Sequence, residues 1–156
     1  MVYYLFAMPR EAEHVSIIDN KFIIGINAVD LPEITDEDTI VNIGYCGAYK
    51  VPVGTIIEPS IVSCAKSGAT AKIDKIFGCK DIKCYTADDF VTEPIVDCES
   101  IYDMELFKLS QLPHKHIYSL KIVSDNLNEH DCEQYNDKDV WEKINKILES
   151  YKDEII

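Results

Sequence analysis

Apolar residues along this chain fall mostly in short, dense runs rich in β-branched and aromatic side chains, the pattern of strands covered on both faces. "VYYLFAM" (2–8) is the first such run, and Pro9 follows where a helix can begin, with Glu11 and Glu13 in its first turn. "KFIIGI" (21–26) predicts a second strand and polar "LPEITDED" (31–38) a loop or very short helix. "TIVNIGYCGAY" (39–49) predicts a strand running into a glycine-bearing turn. "VGTIIEPSIVSC" (53–64) predicts another strand, and "DKIFGCKDIKCYTADDF" (74–90) one or two more, ending in an acidic loop. In "ESIYDMELFKLSQL" (99–112), Ile101, Met104, Leu106, Leu109 and Leu112 recur at roughly helical spacing. "KHIYSLKIVS" (115–124) predicts a strand. The clearest element is "NDKDVWEKINKILESYK" (136–152). Val140, Ile144, Ile147, Leu148 and Tyr151 form one helical stripe, Asn136 or Asp137 can cap it, and Asp139/Lys143 and Glu142/Lys146 are i,i+4 pairs. Strands outnumber long helices, which predicts an α/β domain: three layers, α/β/α, around a mixed, mostly parallel sheet.

The length of 156 residues fits one domain, 1–156, with a core that needs no staples. The net charge of −13 disfavours nucleic acid and anionic membrane surfaces as partners. Arg10 is the only arginine, so a bidentate anion clamp built from several arginines is excluded. No apolar run approaches a membrane span, and the N-terminus lacks a basic leader and reads as a strand rather than a signal peptide. The six cysteines (46, 64, 79, 84, 98, 132) form no CxxC pair and read as reduced thiols of a cytoplasmic protein. Cys79 with Cys84, or His130 with Cys132, fits no standard metal spacing, so no metal or other cofactor is expected.

In an open α/β sheet ligands bind at strand ends. The candidate positions are Met8 to Glu11, Gly44 to Ala48, Thr86 to Val91, Asp103 to Glu105 and Ser124 to Asn126. Acids recur there: Glu11, Asp88, Asp89, Glu105 and Asp125. Taken singly, each is an ordinary cap or loop charge. In order, however, "FAMPREAE", "VNIGYCGAYKVPVGTIIEP", "CYTADDFV", "YDMEL" and "KIVSDN" resemble the successive signatures of the nucleoside phosphorylase / nucleosidase superfamily. That superfamily includes the purine nucleoside phosphorylases and the methylthioadenosine/S-adenosylhomocysteine nucleosidases.

The resemblance implies cleavage of a purine-type nucleoside at its N-glycosidic bond. It implies roles as well. Glu105, with Met104 beside it, grips the ribose diol, and Met8 lines the sugar pocket. Asp125 protonates or hydrogen-bonds N7 of the purine, oriented by Ser124. Glu11 activates water. Phe90 packs on the base and Val91 offers it backbone hydrogen bonds. The turn Gly44–Gly47 borders the anion or water site, where N–H groups converge.

Departures from the family pattern shape the expectation further. Asn42 stands where the phosphorolytic pattern has arginine, Tyr45 replaces a serine, and Lys50 and Lys66 are the cations available to make up the charge, without an arginine's fork. Water is therefore expected as nucleophile rather than phosphate, with phosphorolysis or a non-catalytic nucleoside-binding relative as the alternatives. Pro9-Arg10 replaces an acidic pair before Glu11. Segments 16–21 and 61–81 and the stretch before "TIVNIGYCG" are abbreviated, which predicts a homodimer or higher homo-oligomer that covers the exposed surface.

Overall fold

The computed structural model describes residues 1–16 and 20–156. Its elements run β1 (Val2–Phe6), α1 (Pro9–Ala12), β2 (Lys21–Ile23), a 3-10 turn (Ile26–Ala28), β3 (Thr39–Tyr49), β4 (Ile56–Ile57), β5 (Ile61–Cys64), β6 (Thr70–Lys72), β7 (Cys84–Thr86), β8 (Ser100–Asp103), α2 (Leu106–Ser110), β9 (His116–Asp125), α3 (Glu129–Gln134) and α4 (Lys138–Ile155).

The nine strands form one mixed sheet, ordered β2-β1-β3-β8-β7-β5-β6, with β9 on the other side of β3 and β4 beyond it. Five of the eight strand pairings are parallel, and three are antiparallel, so the sheet is mixed and mostly parallel as predicted. β3 organises it. Thr39–Asn42 pair with β1, Gly47–Tyr49 pair with β8, and the opposite edge pairs with β9 along most of its length. Residues 43–46 therefore face a gap where β1 has ended and β8 has not begun. A sheet that divides in this way opens a crevice at its strand ends.

Each face of the sheet has its own core. On one, Val41, Ile43 and Tyr45 of β3 and Tyr118, Leu120 and Ile122 of β9 meet Val15 and the α4 residues Val140, Trp141, Ile144 and Leu148. Asp137 caps α4, accepting from the N–H groups of Asp139 (3.0 Å) and Val140 (3.3 Å), which settles the choice between it and Asn136. On the other face, Ile40, Cys46, Ile101, Ile117 and Val123 pack under Leu106 and Leu109 of α2, Ala28 and the loop residues Val51, Ile73 and Ile82. This second layer is short helix and loop rather than long helices.

Several expectations are corrected. The segment 99–112 is not one helix: Ile101 belongs to β8, and only Leu106–Ser110 is helical. A strand passing straight into a helix at Glu105 produced the apparent spacing. The segment 53–64 holds two short strands, β4 and β5, rather than one. The glycines 44 and 47 lie inside β3, not in a turn. The ion pair on α4 among the described residues is Lys152–Glu149, and neither expected i,i+4 pair closes. Strand β6 and helix α3, both short and polar, were not anticipated.

Candidate active site

A cavity of about 500 Å³ opens at the strand ends by the gap in β3. Met8, Glu11, Gly47, Phe90, Val91, Met104, Glu105 and Asp125 all line it. Ser124 lies just behind, buried. Asp89 also reaches the cavity, whereas Asp88 turns away to pair with Lys108 at 3.5 Å.

Glu11 arrives from the first turn of α1. Its Oε1 accepts from the Met8 N–H at 2.9 Å, so the side chain reaches back over the start of its own helix. Its Oε2 accepts from the Tyr45 N–H at 2.7 Å. That amide sits in the unpaired stretch of β3, so the carboxylate occupies the place a neighbouring strand would take. The glycine in β3 makes this possible. A Cβ on Gly44 would stand 2.7 Å from Glu11 Oε2, a contact that atoms do not make. Gly44→Ala is therefore expected to displace Glu11 while the fold persists. The check is a crystal structure of the variant, with a cooperative melt retained. Glu11 still bonded to the Tyr45 N–H there would show that Gly44 is not what makes room for it.

Asp125 is delivered by a bulge. Cys46 pairs with Val123 but Gly47 pairs with Asp125, which leaves Ser124 as the extra residue of β9. Bulges bend a strand and re-aim its side chains, and they are frequent beside active sites. Asp125 Oδ2 accepts from the N–H groups of Leu127 (2.9 Å) and Asn128 (3.1 Å), and Oδ1 accepts from Ser124 Oγ (2.8 Å). Gly47 again leaves the room, since a Cβ there would lie 3.1 Å from Asp125 Oδ2. Glu105 lies two residues past β8, at the N-cap of α2, and accepts from the Asn27 N–H at 3.0 Å.

All three carboxylates are at most 6% exposed. Burial raises the pKa of Glu11 against the pull of the Tyr45 and Met8 amides and of Lys121 and Arg10. Burial likewise raises Asp125, against the Ser124 hydroxyl and the two turn amides. Glu105 is pushed up to about 7 by burial and by the charge of Asp103.

Three residues of the site carry no role in the sequence reading: Arg10 and Asp103, which fall within the candidate strand-end positions, and Lys121, which falls outside them. Lys121 and Asp103 form a buried ion pair (Nζ–Oδ2, 3.0 Å) beside the carboxylates. Burial alone would push Asp103 up, but Lys121, the Thr86 hydroxyl and the Leu106 amide hold it below its ordinary value. The signal was a single lysine inside the apolar run "HIYSLKIVS". Arg10 also lines the cavity, and its guanidinium sits 4.8 Å from the Tyr45 ring centroid. The cations looked to for compensation do not. Lys50 pairs with Asp97 at 3.2 Å on the surface, and Lys66 lines a separate cleft behind Phe90. Asn42 is buried within the sheet, donating to Leu5 O at 3.2 Å.

No protein-family model matches the chain, and no curated protein matches it by sequence. Solved structures do. The Chlamydia trachomatis protein MTAN, in a variant bound to MTA, superposes with a TM-score of 0.79 at 13% identity, over 99% of this chain and 98% of that one. The 5'-methylthioadenosine/S-adenosylhomocysteine nucleosidase of Neisseria meningitidis, in complex with methylthio-immucillin-A, gives 0.73 at 14% identity over 96% and 98%. The Arabidopsis thaliana 5'-methylthioadenosine nucleosidase in apo form gives 0.69 at 14% identity over 99% and 95%. The chain thus has the α/β fold of the 5'-methylthioadenosine/S-adenosylhomocysteine nucleosidases.

Proposed function

We propose that this domain, residues 1–156, cleaves the N-glycosidic bond of a purine-type nucleoside with water as the nucleophile. One observation carries the reading: Glu11, Glu105 and Asp125, from three separate strand ends, converge buried on one cavity in a nucleosidase fold.

Breaking the bond builds positive charge on the sugar and negative charge on the leaving base. Groups that act on those charges help most in the transition state. Asp125, with its pKa raised, supplies a proton to the base. Ser124 fits that role because its hydroxyl has two acceptors in reach, Asp125 Oδ1 at 2.8 Å and Cys46 O at 3.3 Å. While Asp125 holds a proton the hydroxyl turns to the carbonyl, and once the proton has left it turns back to the carboxylate. Glu11, raised by burial, is a base suited to taking a proton from water. Glu105 accepts from the vicinal hydroxyls of the ribose, Met8 and Met104 flank the sugar, and Phe90 and Val91 take the base.

Water is favoured over phosphate by the electrostatics. The Tyr45 N–H, the amide of the glycine segment best placed for an anion, is already given to Glu11. A phosphate dianion would enter among Glu11, Glu105 and Asp125 with Arg10 as the one cation lining the cavity among the described residues, Lys50 and Lys66 lying outside it. In phosphate-free buffer the protein is expected to release free base and free ribose from a purine nucleoside. Strict dependence on added phosphate, with ribose 1-phosphate as product, would overturn this.

A homodimer is part of the proposal. Phe22 and Ile23 of β2, at one end of the described strand order, and Ile26, Val29 and Leu31 that follow in the chain are exposed apolar side chains. Ile26 also lines the cavity, so a second copy seated there would close the site against water. Sedimentation is expected to report a dimer at micromolar concentration. A monomer at high micromolar concentration would remove this part of the proposal.

A further inference from the structure

Three of the four residues in the turn Gly25–Ala28 have positive φ: Gly25 (78°), Asn27 (67°) and Ala28 (54°). Glycine takes that region freely and asparagine tolerates it, but alanine enters it at a cost. Such strain persists only where the surrounding structure fixes it, and it gathers at functional sites. Ala28 is fixed by burial in the core with Leu106 and Leu109, and its N–H donates to Gly25 O at 3.1 Å. Ile26 of the same turn lines the cavity.

The backbone groups of Asn27 show what the turn does. Its N–H donates to Glu105 Oε2 at 3.0 Å, the one hydrogen bond to that carboxylate among the described residues. Its C=O accepts from Lys108 Nζ at 3.4 Å. Both partners belong to α2 and its cap. The side-chain oxygen of Asn27, by contrast, is buried with no hydrogen-bond partner among the described residues. What the asparagine supplies is its tolerance of the backbone conformation.

The Asn27 N–H lies in the peptide plane between Ile26 and Asn27, which turns with ψ of Ile26 and φ of Asn27 together. With the chain ends fixed, a residue that resists positive φ at position 27 can relax by flipping this one plane. The flip takes the N–H off Glu105 and brings Ile26 O toward it. The last torsion of a glutamate is broad, so a hydrogen bond is needed to fix the plane of its carboxylate. With Oε2 held by Asn27, the remaining acceptor positions are free for hydroxyls. Leu127 repeats the arrangement at the neighbouring acid. It too has positive φ (67°), unusual for a bulky residue, and its N–H donates to Asp125.

We propose that Asn27 is a positioning residue: its left-handed backbone aims one N–H at Glu105 and fixes that carboxylate for the ribose diol. The diol rests on the nucleosidase reading above; the hold on Glu105 does not. Burial and the charges of Asp103 and Glu11 raise the pKa of Glu105, and Lys121 and the Asn27 N–H oppose them. Loss of that N–H therefore moves the Glu105 titration up from about 7.

Substitutions that differ in their tolerance of positive φ test this. Asn27→Gly keeps the turn, and Asn27→Val resists it, since a β-branched residue is an outlier there. The carboxyl 13C titration of Glu105, assigned by its loss in Glu105→Gln, is followed in each, with melting temperatures alongside. Asn27→Gly is expected to keep the midpoint of the parent. Asn27→Val is expected to raise it by about one to two pH units, the size of a charge-assisted hydrogen bond. On inosine, adenosine or methylthioadenosine at neutral pH, kcat/KM of Asn27→Val should fall about 5- to 50-fold and recover as pH passes the new midpoint. A loss from loosened packing alone would not follow that profile. Should Asn27→Val fail to melt cooperatively, the parent provides the second reading: its Asn27 amide proton should shift with the Glu105 titration, and the shift should vanish in Glu105→Gln. A flat Asn27 amide, or an unchanged midpoint in folded Asn27→Val, overturns the inference and leaves the nucleosidase reading standing. Cleavage of none of the three nucleosides by the parent, with both titrations as expected, overturns that reading and leaves the hold of Asn27 on Glu105.

Discussion

Asp125→Asn is expected to bind a purine nucleoside nearly as tightly as the parent and to cleave it 10²- to 10⁴-fold more slowly, approximately the contribution of a general acid. The amide keeps shape and burial. Its oxygen can still accept from the Leu127 and Asn128 amides that Oδ2 serves now, so the turn into α3 persists. What disappears is the transferable proton, and the loss should fall on kcat. Glu105→Gln should behave differently. It weakens the grip on the diol, a contact present in ground and transition states, so KM and kcat should both suffer. If Asp125 merely ties down the turn, Asn does the same work and turnover stays intact, with a few tenths of a kcal/mol lost at most, as for exchange of one good cap for another. Unchanged kcat in Asp125→Asn would sink the acid role. The comparison uses steady-state cleavage of inosine, adenosine and methylthioadenosine, with melting temperatures as the control for folding.

The elements legible in the sequence were those whose local pattern agrees with their tertiary setting. The runs 2–8, 39–49 and 115–124 are buried on both faces and read as strands, and 136–152 has one stripe and one strong cap. Trp141 shows the limit. It fell outside the predicted stripe, yet it is 2% exposed because Tyr45 and His14 pack against its ring. Glycines 44 and 47 misled for a related reason. They were taken for a turn, but their missing side chains make room for Glu11 and Asp125 against the strand, and no local pattern shows what a glycine makes room for. The three carboxylates were found through the order of their motifs. Arg10, Asp103 and Lys121 lie inside the same motifs without a role of their own, because their place in the site depends on strand register and on how α3 packs. The sequence could at most flag a lone lysine in an apolar run and a lone arginine in an acidic chain.

That lysine carries the largest expected effect on stability. Lys121 is 1% exposed on β9, opposite Gly44 in the ladder, and it reaches across β3 to Asp103 on β8. Asp103 is otherwise held by the Thr86 hydroxyl and by the Leu106 N–H at 2.8 Å, which begins α2. The pair tethers strands on both sides of β3 and sets the helix that follows Glu105. Its net contribution relative to an apolar pair is small, since burying two charges offsets much of their attraction. Breaking it is another matter. Lys121→Met leaves Asp103 charged and buried two residues from Glu105, a loss of about 3–5 kcal/mol. Against a domain stability of about 5–15 kcal/mol, that is a large fraction. At about 2–4 °C per kcal/mol for a chain of this size, melting should fall by roughly 6–20 °C. Neutralising the partner as well should restore much of it. Lys121→Met with Asp103→Asn removes both charges, and the amide oxygen can still accept from the Leu106 N–H. Activity should not return with stability, because the Lys121 charge also lowers the pKa of Glu11. Without it Glu11 rises further, and the pH above which it can act as a base moves up. Urea unfolding of the parent, the single and the double variant measures the first effect, and the pH profile of kcat in the double variant measures the second. A single variant within 1 kcal/mol of the parent, the ordinary scale of a surface ion pair, would show that the charge on Asp103 is solvated by other means.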